Sequence, residues 1–109
     1  MATTYKVLGQ SNPAATTATT LYTVPSATSA VVSTIVICNQ TATAATFRIS
    51  VRPAGAAQTA AMYVAYDVTV GASDSTALTL GITLATTDVI TVYGSTATLS
   101  FVAFGSEVA

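Results

Sequence analysis

FRISVRPAGA, residues 47–56, reads as a strand followed by its stop. Phe47, Ile49 and Val51 alternate with Arg48, Ser50 and Arg52, the two-residue period of a strand with one face in a core and the other toward water. Pro53 then presets a turn backbone angle and Gly55 accepts a left-handed one, so the chain can reverse. A helix would scatter the three apolar side chains around its circumference.

The same code recurs on either side. In MYVAYDVTV (62–70), alternation sets Val64, Tyr66, Val68 and Val70 against Tyr63, Ala65, Asp67 and Thr69. TALTLGITLA (76–85) sets Leu78, Leu80, Ile82 and Leu84 against Thr79, Gly81 and Thr83. DVITVYG (88–94) and ATLSFVAF (97–104) complete the C-terminal half, with Leu99, Phe101 and Ala103 opposite Ser100, Val102 and Phe104. Thr takes the outward positions where Lys and Glu are usual, because a β-branched side chain suits a pleated surface without adding charge. Turn signals separate the runs: SNPAATT, VPSATS, NQTATA, RPAGA, GASDS and YGSTA.

VVSTIVICN (31–39) departs from this pattern by offering apolar side chains to both faces of its strand. A strand with one face on a core needs only half of them. The second face therefore meets either a covering loop or N-terminal arm, or another protein chain; cover from within the chain is the simpler alternative. Cys38, in the same run, reads as a small core residue.

These readings place strands near residues 20–24, 30–39, 46–52, 61–70, 76–84, 88–93 and 97–104, with a further short one possible at YKVL (5–8). The expectation is an all-β, single-domain antiparallel β-sandwich or small, jelly-roll-like barrel of about seven to eight strands. Residues 1–19 form an N-terminal arm and residues 20–109 the sandwich.

Composition narrows the function. A 109-residue chain is one domain's worth, and with a net charge of -1 and three cations, Lys6, Arg48 and Arg52, it lacks the basic footprint that nucleic acid requires. Its apolar runs are far shorter than the roughly 20 residues of a spanning helix, so no membrane partner is expected. The start, MATTYKVLGQ, lacks the pattern of a secretory signal. One cysteine and no histidine rule out an internal disulfide and the usual soft metal sites, and no cofactor or metal is expected.

The carboxylates Asp67, Asp74, Asp88 and Glu107 are scattered, without the partner that acid–base or nucleophilic catalysis needs within hydrogen-bond reach. Asp74 and Asp88 sit in turn signals and read as turn caps. Asp67 shares the polar face of its strand with Tyr63, and Arg48 and Arg52 stand on the polar face of the preceding strand. A cross-strand ion pair follows if the two are neighbours. Exposed Tyr beside Arg is a composition favoured at protein interfaces, so Arg48, Arg52, Tyr63 and Asp67 are the candidate contact residues. Tyr93 is the other aromatic residue that reads as exposed. Asn39-Gln40-Thr41 matches a glycosylation acceptor by chance.

The ordered set LYTVP, VVSTIVICNQ with TFRISVRPAGA, YVAYDVTV, LTLGITL, TDVITVYGSTATLSF and FGSE resembles the small virion structural proteins of tailed bacteriophages, from about Tyr5 to the C-terminus. The resemblance implies a β-rich, non-enzymatic protein made in the host cytoplasm. It is most similar to head decoration, or cement, proteins, which sit outside the capsid over junctions between capsomers. The expected partner is the major capsid protein, and the expected form is a homo-oligomer, a trimer being favoured, at a capsid symmetry axis. The alternative is a tail, neck, baseplate or fibre-associated module that binds structural partners or the host.

Overall fold

The computed structural model describes residues 2–109 and contains nine strands: β1 Thr3–Ser11, β2 Thr19–Thr23, β3 Ser29–Asn39, β4 Ala45–Arg52, β5 Tyr63–Val70, β6 Ser75–Leu78, β7 Ile82–Leu84, β8 Val89–Gly94 and β9 Leu99–Val108. They form two antiparallel sheets. One runs β1-β9-β3-β6, with β7 also paired to β3, and the other runs β2-β8-β4-β5. Two short 3-10 turns, Pro53–Gly55 and Ala60–Met62, interrupt the β4–β5 connection. The result is a β-sandwich in one domain, as the alternation predicts.

The core lies between the sheets. Ile35, Ile37, Leu99 and Phe101 enter from the five-stranded sheet, and Phe47, Ile49, Ile90 and Val92 from the four-stranded one, all buried. Phe47 meets Phe101 edge-to-face, with ring centroids 6.1 Å apart, the geometry that aromatic quadrupoles favour. Asn39 is the notable polar residue among them. Its Nδ2 donates to the carbonyls of Thr43, Val70 and Gly71, and its Oδ1 accepts from the Thr41 amide. The acceptor-like triplet at Asn39 is thus a buried pin joining the β3–β4 and β5–β6 turns. Asp88 plays a similar part, its two oxygens accepting from the amides of Ala54 and Ala85, while Asp74 accepts from the amide of Ser75.

Four expectations change. The segment read as an N-terminal arm contains the nine-residue strand β1, which pairs with β9 from Thr3 to Ser11. The leucine-rich strand is broken into β6 and β7: Gly81 takes φ +63°, and Leu80 is exposed while Leu84 is buried. In β5, Val64 and Tyr66 are exposed and Ala65 is buried, inverting the alternation over the first half of the strand, while Val68 is exposed although it stands opposite the buried Phe47. Cys38 is half-buried and pairs across the ladder with Ser100, on the outer side of its strand, rather than in the core.

The double-faced run in β3 resolves into two distinct surfaces. Ala30, Val32, Ile35, Ile37 and Asn39 are buried, whereas Val31 is exposed and Val36 and Cys38 are half-buried. The change of parity between Val32 and Ile35 is a bulge at Ser33, where the pairing with β9 slips by one residue. β1 lies beside β9 in the sheet and does not cross over that outer face.

Candidate functional site

Arg48 is the centre of the outer surface of the four-stranded sheet. In the ladder, Arg48 stands directly opposite Tyr93 of β8, so the guanidinium and the phenol ring rise from neighbouring positions. On the other side, β5 bulges. Phe47 pairs with Val68 and Ile49 with Ala65, which leaves two residues, Tyr66 and Asp67, opposite Arg48. Asp67 absorbs the extra length with φ +51°, a left-handed conformation that Asp tolerates better than most residues.

The bulge brings three groups onto one guanidinium. Asp67 Oδ1 accepts from Arg48 Nε at 2.7 Å. The guanidinium carbon lies 4.2 Å from the Tyr66 ring centroid and 4.4 Å from that of Tyr93, within the range of cation–π attraction. Tyr63 meets Tyr66 edge-to-face at 4.9 Å. The hydrogen bond to Asp67 raises the Arg48 pKa above its ordinary value, against a smaller opposing effect of desolvation; the cation is permanent. An exposed ion pair adds little stability by itself, but here it fixes a planar donor between two aromatic rings.

Beside the cluster, a groove of about 410 Å³ is lined by Gln58, Thr59, Ala60, Tyr63 and Tyr66. The β4–β5 connection builds one wall of it. Gln58 accepts from the buried Ser50 hydroxyl and donates to the Thr59 carbonyl, so the connection folds back over the sheet. Arg52 clamps the same connection: Nε donates to the Ala56 carbonyl at 2.7 Å and Nη2 to that of Gly55 at 2.9 Å. Of the residues expected from sequence, Arg48, Asp67 and Tyr63 therefore come together, and Arg52 is spent on holding a turn. Tyr66 faces outward where strict alternation predicts the opposite face, because an alternating pattern carries no mark of a bulge. Its one trace is Asp67, a poor strand former amid good ones.

The remaining cation lies at the sandwich edge. Lys6 pairs with Glu107 at 3.2 Å, and Glu107 also accepts from the hydroxyl of Tyr22 in the opposite sheet. The Tyr22 hydrogen bond, then Lys6, holds the Glu107 carboxyl below its usual range. Burial and the neighbouring carboxylate push the Tyr22 phenol up. This trio ties the two sheets together.

The outer face of the five-stranded sheet is different in kind. It presents Tyr5 and Val7 from β1, Phe104 and Val102 from β9, and Val31 and Val36 from β3. Those five strands contain only two charged residues, Lys6 and Glu107, and they are paired with each other.

No protein-family model matches the chain, and no curated protein or solved structure matches it. The Arg48 cluster places a fixed guanidinium between two aromatic rings on an exposed sheet face. Rigid aromatic area and an oriented guanidinium are groups enriched among the anchors of protein interfaces.

Proposed function

We propose that this chain is a non-enzymatic virion structural protein that decorates the outside of a phage head and docks on the major capsid protein through the outer face of β4, β5 and β8. The observation that carries the docking surface is Arg48 held between the rings of Tyr66 and Tyr93 with Asp67 on its Nε. A side chain already fixed in this way loses little conformational freedom on binding, and that saving favours association. The sequence resemblance supplies the partner. Many identical copies on one rigid shell then add modest individual contacts into a large total, which stabilises the junctions between capsomers.

The groove beside Tyr63 and Tyr66 favours a second reading, a host-binding module on a tail or fibre, in which an aromatic wall and the Gln58 amide receive a ligand from the cell surface. Copy number separates the two. Quantitative mass spectrometry of purified virions is expected to find this chain at the abundance of the major capsid protein or a simple fraction of it. A few copies per particle would favour the tail module, and absence from virions would refute both. On heads, Arg48→Ala with Tyr66→Ala is expected to abolish rebinding to stripped particles, while Lys6→Ala leaves it unchanged.

A further inference from the structure

The outer face of the five-stranded sheet invites a different partner. From its geometry we infer that it packs against the same face of a second copy of this chain, forming a two-fold dimer. The inference goes beyond the capsid reading and holds or fails without a capsid.

Charge supports it first. The only charges of its strands are Lys6, which lines the groove of this face, and Glu107, and the two satisfy each other at 3.2 Å. A surface of this kind pairs with itself without like-charge repulsion, whereas a charged partner would lose hydration there and gain no counter-charge. Shape supports it next. Phe104, 39% exposed, forms one wall of a groove of about 490 Å³ whose lining also includes Tyr5, Lys6, Val31, Ser33 and Ser106. A knob and a hole adjacent on one face become complementary when a two-fold axis brings the face onto itself, since each knob then meets the other copy's hole.

Area is sufficient as well. The molecule measures 45 × 27 × 20 Å along its principal axes, so a face spanning the two longer axes has room for the roughly 800 Å² per partner that a standard interface takes. Sheets stack face to face about 10 Å apart in sandwiches, so the dimer would add one more layer contact of the type that holds each protomer together. Two copies are inferred where the resemblance to head decoration proteins implies three, because a flat face used on itself closes after one partner. The apolar side chains on the second face of VVSTIVICN would then be covered by assembly.

The chain carries its own reporter. Cys38 is its single thiol and lies half-buried on this face. Sedimentation of the purified protein between about 1 and 500 µM is expected to show a monomer–dimer equilibrium, with Cys38 alkylation slowing at least about fivefold across that range as mass action fills the dimer. Phe104→Lys should raise the dissociation constant at least about 100-fold by burying two like charges. Phe104→Ser, which adds no charge, should weaken the dimer less, and both variants should keep the far-UV circular dichroism of the parent. Tyr66→Ala, on the opposite sheet, should leave dimerisation unchanged. A monomer at every concentration with constant Cys38 reactivity would overturn the inference. So would a trimer, a dimer indifferent to both Phe104 variants, or a dimer lost with Tyr66→Ala.

Discussion

Asp67 shows how much a single residue decides. Its left-handed backbone creates the bulge that turns Tyr66 outward, and its carboxylate then holds Arg48. Asp67→Asn keeps a side chain that accepts this conformation and is expected to cost less than about 1 kcal/mol in urea denaturation. Asp67→Val places a β-branched residue at positive φ and should cost about 1–3 kcal/mol. A second residue-scale test is pH. Glu107 has a folded pKa below its ordinary value of 4.5, so its hydrogen bonds stabilise the fold above that value and are lost as pH falls through the lower folded one. Thermal melts should therefore show a stability loss below about pH 4.5 that flattens in Glu107→Gln. Tyr22 acts at the other end: its raised pKa means stability is full below its ordinary value of 10.0 and declines as pH rises beyond it. Asn39→Ala should cost at least about 2 kcal/mol, since the Thr43, Val70 and Gly71 carbonyls would all lose their shared donor.

Among the elements, glycine marks where a strand breaks and where strands pack hardest. Gly81 has positive φ and open space around the position a Cβ would take, so Gly81→Ala should cost only the backbone strain, about 1 kcal/mol. At Gly105 an added Cβ would overlap the Val31 carbonyl of the neighbouring strand. Gly105→Ala should therefore cost about 3 kcal/mol or more, or prevent folding, as measured by denaturant midpoint and soluble yield. The strands themselves were legible in sequence. FRISVR and ATLSFVAF match β4 and the first part of β9, whose inward residues Phe47, Ile49, Phe101 and Ala103 are all buried. The differences fall in β1, a nine-residue strand where an arm with at most a short strand is expected, and in β3, β5 and the β6–β7 pair, at a bulge or a break. Each is settled by pairing with a distant strand, which local periodicity does not encode. The candidate site followed the same division: Arg48, Tyr63 and Asp67 were legible as outward polar residues, but Tyr66 was hidden by the bulge and Arg52 by its capture of a turn.

For the whole molecule, the order of strands matters more than their number. Consecutive strands share a sheet only at β4–β5 and β6–β7; every other connection crosses between the sheets. Native pairs such as β1 with β9 join segments about as far apart as the chain permits, so much loop-closure entropy is lost before their contacts form. Refolding monitored by tyrosine fluorescence in stopped flow is expected to take milliseconds to seconds, as in other β-sandwiches, and not microseconds. The sequence by itself determined the all-β class, the turns and most inward-facing residues, because the two-residue period, β-branching and Pro or Gly punctuation act over a few neighbouring positions. Tertiary structure decided which side chains from different strands meet on an outer face: Tyr66 with Arg48 and Tyr93 on one sheet, and Phe104 with Tyr5 and Val31 on the other. The physical reason is that one extra residue in a strand reverses the parity of everything beyond it, and only the partner strand determines where that residue goes.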